Sequence, residues 1–346
     1  MRIPPHPRKI LIMRLSALGD LVVLTPIFRR LREQFPEAEI DVLVKQEIAA
    51  VVANNPFITN VLTFTTSAGF CSWRRLCRQL AERGYDLFID MHRNLRSFVL
   101  GWYLRRTPRL LYHKPRLLRF LLFYCRWNRF PRGFRLLDSY LAVLKPLGIT
   151  TDSNTLTEIF LPGETADNAR LILERHGLTS DFVVLLPIAT WPNKLYPLER
   201  YSEIARRINI ELKMAVVWLG GHFDEHLKRL NYLVPGQSVR IMGETTLPEA
   251  LGIISLSRAV IGNDTGLTYA AEALGVPTVL IMGPTAHETG AGTYHPTSVE
   301  VFTQLWCRPC SQKGDRLCYR RQRYCMERIS SHQVWEALQS ILRSRT

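Results

Sequence analysis

No stretch of this sequence approaches the roughly 20 apolar residues needed to cross a bilayer, since its richest run, Leu117–Trp127, is cut by Arg119 and Arg126. A secretory signal is missing too, because the apolar run Ile10–Met13 is broken at once by Arg14. The chain has neither a Gly-x-Gly-x-x-Gly after its first strand-like run nor a Gly-x-x-x-x-Gly-Lys-Ser/Thr. That argues against a standard nicotinamide enzyme and against a P-loop NTPase. Its seven cysteines are odd in number and fit a reducing compartment better than a disulfide framework. A soluble, cytoplasmic protein is the expectation.

Negative charge is lacking in one region. Between Met91 and Leu137 there is no Asp or Glu, while twelve Arg or Lys residues occur, among them Arg93, Arg96, Arg116 and Arg119. A less pure basic stretch runs from Arg308 to Arg328. Over the whole chain 45 Lys+Arg against 30 Asp+Glu give a net charge of +15, which favours an anionic partner. Among the aromatics interleaved with the basic block are Trp102, Tyr103, Tyr112, Phe120, Phe123, Tyr124, Trp127 and Phe130. They are expected to be mainly core, with some of the arginines functional.

A hydrophobic content of 47% with 22% charged residues is globular, and 346 residues suggest about two domains. Lys9–Leu15, Ile40–Val44, Asn60–Phe64 and Asp86–Asp90 read as strands. Leu21, Leu24, Phe28, Leu31 and Phe35 line one face of a helix, with Pro26 an irregularity in its early turns. After polar stretches at Thr150–Asn154 and Pro162–Thr165 the pattern restarts. Asp181–Pro187, Met214–Leu219, Arg258–Gly262 and Pro277–Met282 read as buried strands, and Leu198–Ile208, Leu247–Leu256 and Thr268–Leu274 as helices. Such alternation predicts an α/β chain of two doubly wound Rossmann-like domains, residues 1–165 and 166–346, facing a central cleft. The last helix is free to return to the first domain.

Three segments fall at predicted strand ends, where such sheets bind ligands. In Arg14-Leu15-Ser16-Ala17-Leu18-Gly19-Asp20, Asp20 stands at a helix start and reads either as a cap or as a base for an acceptor hydroxyl. In Ala189-Thr190-Trp191-Pro192-Asn193-Lys194, Lys194 suits a diphosphate, or is a solvated surface lysine. In Gly262-Asn263-Asp264-Thr265-Gly266-Leu267-Thr268-Tyr269 the helix start is an anion site. There Asp264 caps the turn or faces sugar hydroxyls. Cys307, Cys310, Cys318 and Cys325 are either a tetrahedral metal site or reduced, buried thiols.

Together these residues resemble glycosyltransferase family 9, the ADP-heptose:lipopolysaccharide heptosyltransferases. The resemblance is carried by Ile10–Asp20, Asp86–Ser97, Ala189–Lys194, Gly262–Tyr269, the Gly283-Pro284-Thr285 turn and the cysteine-rich tail, in order along nearly the whole chain. It implies a GT-B fold with acceptor on the first domain and ADP-sugar on the second, without a required cofactor or divalent ion. By the same resemblance Asp20 is the catalytic base, and Thr190 and Lys194 contact the donor phosphates. Asp264, Thr265 and Gly266 contact the heptose and diphosphate. Glu225, with Asp224 as the alternative, holds the adenosine ribose. Two positions depart from the family pattern: Tyr269 stands where His is usual, and His287–Tyr294 lacks the expected Arg or Trp. Both bear on which sugar is transferred.

A nucleotide diphosphate is a good leaving group, so transfer needs one base on the acceptor side and positive charge on the donor side, not the two carboxylates of a glycosidase. The expected acceptor is the anionic, lipid-linked core saccharide, gripped by Arg93, Arg96, Arg116 and Arg119. Peripheral contact with the inner face of the inner membrane follows from that acceptor. A transferase for another nucleotide sugar is the nearest alternative. A nucleic-acid-binding protein using the basic block would leave Asp20, Lys194 and Asp264 unexplained, so no nucleic-acid partner is expected.

Overall fold

A computed structural model of the chain describes residues 3–150, 155–221 and 236–343. Glu225 and Asp224 lie outside the described residues. The chain packs as two compact units, one of Met1–Lys114 with Leu137–Phe160, the other of Pro115–Leu136 with Leu161–Thr346. The division therefore falls at 160/161 rather than 165, and half of the basic block belongs to the second unit. The reason is local: the Pro162-Gly163 pair opens a helix, Gly163–Arg175, where the sequence reads as a polar linker.

The first unit has five parallel strands: β1 (Lys9–Met13), β2 (Glu39–Lys45), β3 (Asn60–Phe64), β4 (Leu87–Asp90) and β5 (Arg109–Leu111). Their order is β3-β2-β1-β4-β5, so the winding reverses between β1 and β4. Helices α1 (Leu18–Gln34), α2 (Gly69–Glu82) and α3 (Leu95–Tyr103) connect them. Leu11 and Met13 of β1 pack with Trp73, Cys77 and Leu80 of α2 and Leu100 of α3, while the alternate residues Ile10 and Ile12 are buried on the opposite face. Helix α1 continues past Pro26 to Gln34. The carbonyl that Pro26 leaves without an N–H donor is that of Val22, and the Thr25 hydroxyl donates to it at 2.8 Å. The irregularity seen in the sequence thus has its compensation one residue away.

The second unit begins with α4 (Arg116–Tyr124) and continues with α5 (Gly163–Arg175), α6 (Leu198–Arg207), α7 (Leu247–Leu256), α8 (Gly266–Ala273) and α9 (Ser331–Arg343). Its strands are β6 (Phe182–Leu186), β7 (Ala215–Trp218), β8 (Ser238–Arg240), β9 (Ala259–Asn263), β10 (Thr278–Met282) and β11 (Val299–Phe302), all parallel. The order β11-β10-β9-β6-β7-β8 again reverses next to the unit's first strand, between β6 and β9. Val183 and Leu185 join Tyr201, Trp218 and Trp335 on one face, and Val184 and Leu186 join Leu173 and Ile253 on the other. The sheet is buried on both sides, which is why its strands read as unbroken apolar runs. Helix α9 packs on α6 and on this same sheet.

Of the ten aromatics in the basic block, only Tyr112 and Phe130 are buried. Trp102, Phe120, Tyr124 and Trp127 are exposed, which corrects the expectation that these rings are mainly core. The two helices carrying most of them, α3 and α4, are amphipathic, and their outer faces hold large apolar residues rather than polar ones.

Candidate active site

In the first unit the site is built where β1 ends and α1 begins. Arg14 follows β1 directly, and its backbone N–H donates to the Leu43 carbonyl at 3.0 Å, continuing the ladder. Its buried guanidinium therefore points back over the sheet end, where it donates to the Met91 carbonyl beyond β4 and sits 2.5 Å from the Asp20 carboxylate. The same Asp20 oxygen accepts the Ala17 N–H at 3.2 Å, the cap expected of an acidic residue in a first helical turn. The other oxygen accepts the Tyr140 hydroxyl at 3.1 Å. Tyr140 comes from 120 residues away, lies under Arg14 with 5.5 Å between guanidinium and ring, and meets Tyr112 edge-on at 4.9 Å.

Asp20 is thus both a cap and a half-buried carboxylate held on three sides. Burial works against its charge, but Arg14, the Ala17 N–H and the Tyr140 hydroxyl hold its pKa below the ordinary carboxylate range. Nearby His92 is pushed down to about 4, first by burial and then by the positive charges of Arg14 and Lys114, so its ring is neutral. Asp90, at the end of β4, accepts the backbone N–H groups of His92 and Arg93 at 2.9 and 2.8 Å. Those bonds fix the loop that carries the Asp86–Ser97 motif.

In the second unit the corresponding place is the end of β6 beside β9. Lys194 closes a single 3-10 turn, Pro192–Lys194, and its ammonium lies 2.6 Å from Asp264 and donates to the Asp264 carbonyl at 3.2 Å. The Asp264 carboxylate also accepts the Tyr269 and Thr285 hydroxyls, each at 2.6 Å. Burial opposes its charge, yet Lys194 and the two hydroxyls keep it ionised below the ordinary range. The sequence leaves Asp264 open between capping the turn and facing sugar hydroxyls. Both of its oxygens are taken by protein donors, as a buried carboxylate requires. Tyr269, odd in the sequence, is one of those donors.

Asn263, the last residue of β9, ties the elements together. Its side chain accepts the Tyr196 N–H at 3.3 Å and the Tyr201 hydroxyl at 3.2 Å, and donates to the Ile188 carbonyl at 3.2 Å. Thr268 donates to the Asn263 carbonyl at 2.7 Å, which draws α8 against the strand end. Only glycine fits at 262, since a Cβ there would lie 2.3 Å from the Thr268 hydroxyl oxygen. Thr265 is the N-cap of α8 and Gly266 its first residue, so the amides from Gly266 onward open toward the same strand ends as Lys194. Thr190 is exposed on the loop before Lys194.

Not every predicted site residue shares these two places. Arg93 and Arg96 belong to the first unit, Arg96 resting 5.5 Å over Phe64, whereas Arg116 and Arg119 stand on α4 in the second. Cys307, Cys310, Cys318 and Cys325 all line one small cavity, with free thiols. Burial and the neighbouring sulfurs raise the Cys310 thiol and push the Cys325 thiol up to about 11. Among the described residues no group of three or more His, Cys, Asp or Glu side chains is arranged to hold a metal ion. Arg14 stood inside a recognised motif without a role assigned to it, and Tyr140 carried no sequence signal at all.

Comparison with known proteins adds the decisive observation: the sequence profile of glycosyltransferase family 9 (heptosyltransferase) matches residues 73–319. The chain belongs to that family. Lipopolysaccharide heptosyltransferase 1 of Pseudomonas aeruginosa is 25% identical to it, over 96% of this chain and 98% of that protein. The crystal structure of the glycosyl transferase family 9 protein from Veillonella parvula superposes with a TM-score of 0.80 at 21% identity, covering 97% of this chain and 98% of that one. The E. coli ADP-heptose lps heptosyltransferase II gives 0.74 at 18% identity, covering 97% and 99%. These likenesses establish the two-domain GT-B fold. As a family 9 member the chain is a glycosyltransferase, and among the described residues no helix is long and apolar enough to cross a membrane.

Proposed function

We propose that this glycosyltransferase moves a heptose from ADP-heptose onto the inner core of lipopolysaccharide, with inversion at the anomeric carbon, at the cytoplasmic face of the inner membrane. The observation that carries the reading is the division of charge between the two strand-end sites. Each site holds an ion pair, and its more accessible partner is the carboxylate Asp20, against Arg14, in the first unit and the cation Lys194, against Asp264, in the second. That is the asymmetry which displacement from a nucleotide-diphosphate sugar requires.

Asp20 accepts the proton of the attacking hydroxyl. Its lowered pKa makes it a weak base, suited to a proton that leaves late, once the anomeric centre is oxocarbenium-like. Lys194 and the first amides of α8 stabilise the charge that develops on the departing ADP, with Thr190, Thr265 and Gly266 completing the donor contacts. Asp264 acts on the donor through Lys194, which it orients. Glu225, or Asp224 beside it, is the acidic residue left to hold the ribose. Arg93, Arg96, Arg116 and Arg119 engage phosphates and carboxylates of a lipid-linked acceptor. The scheme draws on no divalent ion.

Calorimetric titration with ADP, UDP, GDP and NAD tests the donor half without any acceptor. Selective ADP binding that weakens in Lys194→Ala supports it. Preference for another nucleotide moves the donor elsewhere within the family. Transfer from ADP-heptose to Kdo-lipid A, abolished in Asp20→Ala while ADP affinity holds, tests the rest.

A further inference from the structure

We propose that the outer face of α3, in the first unit, and the outer face of α4, in the second, are each a docking element for an anionic lipid bilayer. The proposal deepens the reading of a lipid-linked acceptor, which is met at such a surface, and its test uses neither donor nor acceptor. On α3, Leu95, Phe98 and Trp102 follow one another at i, i+3 and i+7, and on α4, Leu117, Phe120 and Tyr124 do the same. All six are between 53% and 75% exposed, whereas Leu100 and Leu122 on the inner faces are buried. Large apolar side chains arrayed in this way on two separate helices are no leftover of core packing. Each helix buries one apolar stripe and presents a second to the outside.

Three observations choose lipid as the occupant. The first is charge: the two helices lie in the stretch between Met91 and Leu137 that holds twelve basic and no acidic residues. A protein partner would have to match that field at every contact, while a uniformly anionic leaflet matches it anywhere, and the attraction adds up residue by residue. The second is the kind of apolar residue, since tryptophan and tyrosine among leucine and phenylalanine favour the depth of the headgroups. The third is how the cations are held. Arg105 lies over Trp102 at 5.7 Å and Arg129 over Trp127 at 4.7 Å, with Arg126 at 5.9 Å from both Trp306 and Tyr319. Such pairs keep the guanidinium at the level of a phosphate while the ring goes deeper. With nine residues each, these helices lie in the plane of the interface and do not span it.

The test is co-sedimentation of the full chain with large vesicles of phosphatidylcholine alone and of phosphatidylcholine mixed with phosphatidylglycerol. Phe98→Glu with Trp102→Glu, and Leu117→Glu with Phe120→Glu, change one helix at a time, and circular dichroism checks their fold. The chain is expected to bind the mixed vesicles and not the neutral ones, with tryptophan emission shifting to the blue. Each double variant should need roughly tenfold more lipid or beyond for half-binding. Equal binding of wild type and variants would leave only nonspecific charge attraction and overturn the proposal. So would an absence of vesicle binding in a chain that forms oligomers which the variants dissolve, since the stripes would then pack on a second copy. Failure here with ADP binding intact leaves the transferase reading standing. Vesicle binding without ADP binding does the reverse.

Discussion

At the scale of single residues, the clearest consequence concerns Arg14. A base is useful only in its ionised form, and burial alone would push Asp20 toward the neutral acid. Arg14, 2.5 Å away, reverses that. Arg14→Met is therefore expected to raise the acid limb of the kcat/KM profile by about 1–3 pH units while activity at high pH recovers. Asp20→Asn should lower turnover by roughly 10²–10⁴ at every pH with little effect on ADP affinity. A uniform loss in Arg14→Met with no shift of the limb would make Arg14 merely structural. Glu272 offers the opposite case. It lies buried on α8, accepts the Tyr294 and His295 N–H groups at 2.8 Å each, and is pushed up to about 7 from 4.5, chiefly by burial. A carboxyl raised on folding stabilises the fold fully below its unfolded value, and that contribution is lost as pH rises toward 7. Glu272→Gln keeps the acceptor oxygen and removes the charge. It should match wild type in stability near pH 4 and exceed it by about 2–3 kcal/mol at pH 8, as thermal melts at both pH values would show. The sequence pointed to Asp20 and Lys194 because both stand next to strand ends. It could not reveal that Tyr140 holds Asp20 or that Asp264 turns inward, since those contacts join residues brought together only by the fold.

At the scale of elements, the close seating of α8 on the end of β9 organises the second site. Gly262→Ala puts a methyl 2.3 Å from the Thr268 hydroxyl and 3.1 Å from the Leu186 Cβ. Overpacking of this kind costs roughly 1–3 kcal/mol. It also pushes α8 away from Lys194, so ADP affinity should fall together with the melting temperature. Removing the obstruction with Thr268→Ala in the same chain should restore part of both. No rescue would mean that the glycine matters for some reason other than space. The long buried elements were legible: β1, β6, β9 and β10 announce themselves as apolar runs, and α7 has the bounds Leu247–Leu256 that the sequence gives it. The short edge strands were not. Strands β5 and β8 have three residues each, and β8 is half-buried throughout, so neither carries a periodic signal. Of helix α5 only the first residues fall in the polar stretch Pro162–Thr165, where Pro162 and Gly163 punctuate its start, and the sequence reading assigns nothing to the rest.

At the scale of the whole molecule, two sheets with separate cores imply two cooperative units. Trp73 anchors the first, and Trp218 and Trp335 anchor the second. The basic block divides between them at 114/115, six of its cations falling in each, so neither unit alone accounts for the net charge of +15. The donor contacts we propose do not divide in this way: Thr190, Lys194, Thr265 and Gly266 all belong to the second unit. Heat unfolding should therefore proceed in two steps, and ADP should raise only the step that melts the second unit. A ligand at a hundred times its Kd adds about 2.7 kcal/mol to the state that binds it, enough to separate the steps in a calorimetric scan. Lys194→Ala should remove most of that shift, while Trp73→Leu should lower the other step and leave the ADP response in place. A shift of both steps by ADP in the wild type would place part of the nucleotide contact in the first unit, and the donor assignment would have to be redrawn around it.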